Sequence, residues 1–142
     1  MGVAGVHFVV AELSRRGWVA LPTIRNTKGI DVLASKEGLV VEIQVKSSAQ
    51  WRSWILSESA QTLDRKNLFY VFVNLNENEA PEYFIMPSAM VAEYLNRTNK
   101  QPLEAGCREL GMIELPNAYG PELKREIEKY KDKWALLASQ DG

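Results

Sequence analysis

Cysteine is almost absent from this chain. Cys107 is the single one among 142 residues, so no intramolecular disulfide can form and no cysteine-rich metal site exists. Histidine is as scarce, with His7 alone. Lysine and arginine total 17 against 18 aspartates and glutamates, for a net charge of -1. That balance removes the global basic field that marks a nucleic-acid binder by charge alone, and any such contact has to be a local patch. The apolar residues near the N-terminus follow no basic lead and are interrupted by His7 and Glu12, so neither a signal peptide nor a membrane span is expected. Met1-Gly2 has the start of a myristoylation motif, but Val6 stands where that motif needs Ser or Thr. A soluble protein of the reducing cytosol fits these absences.

What is present is enough for one core. With 46% hydrophobic residues over this length, the sequence predicts one domain spanning 1–142. From Val3 to Arg16, Val6, Val9, Val10 and Leu13 fall at helical spacing, and Gly17 supplies a C-terminal stop. Trp18 to Leu21 reads as a short strand ended by Pro22, and Thr23 to Lys28 as a polar loop. Ile30 to Ser35 and Leu39 to Ser47, joined by Lys36-Glu37-Gly38, form an antiparallel hairpin. Between Ser47 and Lys66 the periodicity does not choose between an edge strand and short helical turns.

The run Leu68 to Leu75 is continuously apolar and rich in β-formers, as expected of a central strand covered on both faces. Tyr83 to Met86 is a further strand, and Pro87-Ser88 opens a helix through Met90, Val91, Tyr94 and Leu95. Asn96 to Pro116 reads as an irregular excursion. Pro121 starts a last helix whose Leu123, Ile127, Tyr130, Trp134 and Leu137 make a narrow stripe. Packing of that stripe on the domain's own sheet is favoured over a dimer seam. The order of elements predicts an α/β fold around a mixed central β-sheet flanked by helices.

Residues two apart in a strand share a face and lie roughly 6.5 to 7 Å apart. Glu42, Gln44 and Lys46 therefore line one face, opposite Val41, Ile43 and Val45. Asp31, on the partner strand of the hairpin, joins that face if the register sets it against Gln44 rather than Ile43. An acid, an amide oxygen and a lysine brought together suit phosphodiester hydrolysis. There a divalent cation stabilises charge on the phosphate and acidifies a water while a lysine steadies the water or the developing charge. Oxygen ligands suit Mg²⁺ or Mn²⁺. On pattern alone, a solvated sheet surface explains Glu42, Gln44 and Lys46 equally well and is the commoner origin of such a face.

"GIDVLAS" followed by "VVEIQVKSS" resembles the PD-(D/E)XK nuclease superfamily, whose core acid sits on one strand and whose acid-x-Lys pair sits on the next. The glycine-ended helix reaching "ELSRRGW" is similar to the first helix of archaeal Holliday-junction resolvases. The segment "NLFYVFVNLNENEAPEYFIMPSAMVAEYL" looks like a second half recurrent in small proteins of this superfamily. The likeness covers most of residues 2–97 as a nuclease-like core and leaves 98–142 as a helical extension.

It implies a restriction-endonuclease-like fold, with Asp31 as metal-binding acid, Gln44 in the place of the second acid, Lys46 as catalytic lysine and the Val45 backbone carbonyl completing the metal shell. Gln44 departs from the pattern, since an amide offers a neutral oxygen where a carboxylate offers charge. Glu42, one pleat away on the same face, is the candidate substitute, with a structural surface residue as the equal alternative. Resolvase-like members also carry a glutamate on the first helix; Val6 and His7 stand nearest that position, and Glu12 is the helix's only acid.

His7 is a candidate ligand or water-orienting group, with a boundary position as the commoner role of a lone histidine. Trp51, Arg52 and Trp54 lie where a nucleic acid would pass, though tryptophans there are more often core or dimer anchors. Arg25 and Lys28 are candidate phosphate contacts. The resemblance thus implies a Mg²⁺- or Mn²⁺-dependent DNA endonuclease that is dimeric, and the cysteine count adds a cytoplasmic location. The alternative is an inactive nuclease fold kept for nucleic-acid or protein binding.

Overall fold

The structure, a computed structural model, describes residues 2–24, 29–49, 53–62, 65–98, 107–111 and 127–139. Helix α1 (Gly2–Arg15) is followed by β1 (Val19–Pro22), β2 (Val32–Lys36), β3 (Leu39–Ser48) and β4 (Ser53–Ser57). A 3-10 turn (Glu58–Gln61), β5 (Leu68–Asn74), β6 (Glu82–Pro87), α2 (Ser88–Thr98), β7 (Cys107–Gly111) and a second 3-10 turn (Trp134–Ala138) complete it. Strands β1, β2, β3, β5 and β6 form a five-stranded sheet in that order, and β4 and β7 form a two-stranded one. All neighbours in the larger sheet are antiparallel except β3 and β5, which are parallel. This is the mixed α/β architecture that the alternation of elements predicted.

The β2–β3 hairpin closes through a two-residue loop in which Glu37 (φ 51) and Gly38 (φ 83) are both left-handed. That is the turn whose twist matches the flanking strands, and it fixes the register. Gly17, with φ 89, ends α1 as expected. Strand β5 is buried along its whole length between β3 and β6, which explains its unbroken apolar run.

The sheet has one core on each face. On one side α1 lays Val9 and Leu13 over Val41, Ile43, Val45, Val71 and Ile85, with Trp134 and Leu137 at the margin. Gly5 permits the closest approach, because a Cβ there would stand 1.8 Å from Ser47 Oγ. On the other side Trp54, Leu56 and the α2 residues Val91, Tyr94 and Leu95 cover Tyr70, Phe72, Phe84 and Met86. This second layer sits on β5 and β6. Over β2 and β3 the same face is less covered by the described residues, with Leu33 and Val40 exposed and Glu42, Gln44 and Lys46 partly so.

Two expectations are corrected beyond residue 96. A strand, β7, lies inside the stretch read as irregular and pairs with β4. The stripe from Ile127 to Leu137 is not one helical face. Asp132 turns the chain with φ 54, and Tyr130 to Asp132 bond to the edge of β6 through Ile85 N to Tyr130 O (3.0 Å) and Asp132 N to Tyr83 O (2.9 Å). Unsatisfied strand-edge groups outcompete the continuing helix. Ile127 then enters one core and Trp134 and Leu137 the other, so these residues pack on the chain's own sheet.

Candidate active site

The site is built just ahead of the start of β2, where β3 runs on. On β3 the main-chain groups alternate between neighbours: Glu42 N donates to Asn67 O, just before β5, whereas Ile43 O accepts from Asp31 N (both 2.8 Å). Odd-numbered residues thus face β2. Val32, the first residue of β2, is opposite Ile43, so Val45 lies beyond the start of β2 with its N–H and C=O directed where that strand has not yet begun. The Asp31 carboxylate takes the place of the missing strand, Oδ2 accepting the Val45 N–H at 2.8 Å.

Asp31 is itself wrung out of the ladder. Its N–H faces β3, while its C=O faces the β1 side and accepts from Thr23 N at 2.9 Å. In a regular strand both would face one neighbour. Thr23 Oγ1 also donates to Ile30 O, and these bonds together fix the carboxylate's position. Gly29, with φ 66, makes the turn into this segment, and the position of its missing Cβ is 3.8 Å from Gln44 Oε1. The Gln44 amide oxygen is therefore turned toward the strand that carries Asp31.

Val32 rather than Asp31 opposes Ile43, and Asp31, outside the ladder, has no paired β3 residue. Through the Val45 N–H, the carboxylate sits beside the peptide that follows Gln44. Lys46 is one residue further and shares the Gln44 face, next to Phe72 of β5. Glu42 also shares that face and makes an ion pair with Arg65, Oε1 to guanidinium 3.0 Å. That contact is electrostatic rather than a directed hydrogen bond, since the same oxygen is buried without an aligned donor.

The donors directed here are the Asp31 carboxylate, the Gln44 amide oxygen and the Val45 carbonyl. An all-oxygen set of this kind fits Mg²⁺ or Mn²⁺, with only one formal charge to hold the ion. No group of three or more His, Cys, Asp or Glu side chains able to hold a metal occurs among the described residues.

The helix candidates lie elsewhere. Helix α1 covers the face of Val41, Ile43 and Val45, the opposite side from Gln44 and Lys46. His7 is exposed there. Glu12 is engaged by Arg15 (2.9 Å) and Arg16 (3.5 Å) and, with Asp132, acts on Tyr83. Trp54 is a core residue, its Nε1 donating to Val73 O at 3.1 Å. Arg25, Lys28, Trp51 and Arg52 lie outside the described residues. Arg65 was not singled out in the sequence. Its one signal is a cation placed just ahead of an all-apolar strand.

No family model and no curated protein matches the chain. Among solved structures, the bacterial homing endonuclease I-Ssp6803I superimposes with a TM-score of 0.58 at 17% identity, over 96% of this chain and 89% of that one. The fold is restriction-endonuclease-like. The Archaeoglobus fulgidus Holliday junction resolvase Hjc matches with a TM-score of 0.50 at 13% identity, over 78% of this chain and 83% of that one. Both likenesses agree with the mixed-sheet α/β fold expected from the order of elements. At these identities the likeness concerns the fold.

Proposed function

We propose that the chain is a metal-dependent DNA endonuclease of the PD-(D/E)XK type, hydrolysing phosphodiester bonds at Asp31, Gln44 and Lys46. The observation that carries this reading is the Asp31 carboxylate standing in for the missing strand, 2.8 Å from Val45 N, with the Gln44 oxygen turned toward the same segment. Capping the Val45 N–H engages one oxygen of the acid; its other oxygen, the Gln44 amide oxygen and the Val45 carbonyl are the groups this reading assigns to the metal.

In this reading Asp31, Gln44 and the Val45 carbonyl hold Mg²⁺ or Mn²⁺. The ion supplies charge stabilisation at the phosphate and lowers the pKa of a water. Lys46, on the same face with no ion-pair partner among the described residues, orients the attacking water and offsets negative charge developing on the phosphoryl oxygens. The half of the sheet where Leu33 and Val40 are exposed gives the strand to be cut its approach. The two solved neighbours, a homing endonuclease and a Holliday junction resolvase, support DNA as the substrate class.

One observation favours a second reading. With Gln44 in place of an acid the site carries a single metal-facing carboxylate, and a nuclease fold retained for binding alone would tolerate that loss. Mn²⁺ calorimetry and plasmid nicking on the parent and on Asp31→Asn separate the two. Metal binding and nicking, both lost in Asp31→Asn, support the enzyme. DNA binding without metal binding supports the module. A second copy of the chain is expected in solution under either reading, and sedimentation measures it.

A further inference from the structure

Glu42 is one pleat from Gln44 on the same face, yet its carboxylate is drawn the other way. Arg65 lies just ahead of β5, while Asp31 lies across β3 on the β2 side. The 3.0 Å ion pair therefore holds Glu42 toward β5 and off the Asp31–Gln44 end of the strand. Arg65 is fixed through its backbone: Ser88, fully buried at the start of α2, accepts from Arg65 N at 3.0 Å and donates to Arg65 O at 2.9 Å. The pair itself is held loosely. The Arg65 side chain is 47% exposed and that of Glu42 19%, and Glu42 Oε1 is left without an aligned donor. A pair with an exposed guanidinium and no aligned hydrogen bond is weak, whereas a phosphate offers a guanidinium two well-placed oxygens.

Resting on the metal site proposed above, we propose that Arg65 is a substrate-sensing latch. It withholds Glu42 while the face is empty, and a backbone phosphate that captures its guanidinium releases Glu42 to serve as the second carboxylate beside Asp31. Residues two apart on a strand face are separated by roughly 7 Å. A glutamate side chain turned toward Gln44 spans most of that distance, and one ion shared between them spans the rest. The charge that Gln44 fails to provide is then supplied only when nucleic acid is bound. Metal and substrate affinities become coupled, each raising the other by the same factor.

Arg65→Ala keeps the Ser88 clamp, which touches only main-chain atoms of Arg65, so the variant retains the fold. Mn²⁺ titration calorimetry on the full chain should give binding about 10-fold tighter for Arg65→Ala than for the parent, because a freed carboxylate adds a full opposite charge beside the ion. Arg65→Ala combined with Glu42→Gln should return to the parent value. Adding a cleavage-resistant phosphorothioate DNA duplex should tighten Mn²⁺ binding by the parent and leave Arg65→Ala unchanged.

The latch is overturned if Arg65→Ala binds Mn²⁺ no better than the parent, if the double variant keeps the gain, or if the duplex acts equally on both. In each of those cases Mn²⁺ binding that is lost in Asp31→Asn leaves the metal site standing. Failure of every variant, Gln44→Glu included, to bind Mn²⁺ removes the metal site and the latch together.

Discussion

The Asp31 carboxylate occupies the position of a missing strand residue, accepting the Val45 N–H at 2.8 Å just ahead of the start of β2. One oxygen of the acid is thus structural, and the carboxylate remains as the charge at the candidate site. Asp31→Ala should therefore lose metal binding and also destabilise the fold by about 1 to 2 kcal/mol, the usual cost of stranding a partly buried donor. Asp31→Asn keeps an acceptor for Val45 N–H and should lose only the metal. Thermal unfolding and Mn²⁺ calorimetry on both variants test this. Equal stability of Asp31→Ala and the parent would contradict the structural half.

Gln44→Glu should strengthen Mn²⁺ binding by about 10-fold and raise nicking in Mg²⁺, since it adds a second opposite charge to a site held by one. The Gln44 oxygen already faces the Asp31 segment, so no repacking is required. Unchanged affinity would mean that this face is ordinary solvated surface.

Gly5→Ala tests how tightly α1 is seated on β3. The added Cβ would meet Ser47 Oγ at 1.8 Å and Ser47 Cβ at 3.1 Å, an overpacking that should cost about 1 to 3 kcal/mol in denaturant unfolding. Ser47 Oγ is buried without a partner, so Ser47→Ala alone should be neutral or stabilising, and it should recover part of the Gly5→Ala loss. Additive effects of the two changes would show that the contact is not made.

Much of this was legible in the sequence because it is local. Alternation set the β2–β3 faces, the Lys36-Glu37-Gly38 link marked the hairpin but left its register open, and the apolar run of Leu68 to Leu75 announced a doubly covered strand. The wrung backbone at Asp31 was not legible, since it depends on where β2 begins relative to β3. Arg65 was hidden for a related reason: its pairing with Glu42 crosses a parallel strand contact, which no local period reports. Strand β7 and the break at Asp132 also answer to distant partners, β4 and the β6 edge.

Alkaline pH should unfold the protein through its buried phenols. Burial raises the Tyr83 hydroxyl to about 12, with Glu12 and Asp132 adding to the shift and Arg15 opposing it. Desolvation raises Tyr70 as well. With the folded value above the unfolded one of 10.0, the stability tied to the protonated phenol is complete below pH 10 and is lost as pH rises toward 12. Lys131, raised chiefly by its hydrogen bond to Glu82, shifts stability in the same direction. Tyr83→Phe should flatten the decline in urea midpoints between pH 9 and 12, and an unchanged slope would rule Tyr83 out as its source.

The hydrogen bonds from Tyr130 to Asp132 along β6 place a burden on the order of synthesis. Strand β6 is complete by Pro87, but the residues that seal its edge leave the ribosome only after α2, β7 and the long stretch between them. Until then the nascent sheet carries an unsealed ladder able to recruit another chain. Ribosome-bound chains halted before Tyr130 should stay sensitive to protease near β6 and bind holdase chaperones, and chains extended past Asp132 should lose both properties. The segment from Tyr130 to Asp132 thus covers a strand edge that is otherwise free to pair while the chain is being made.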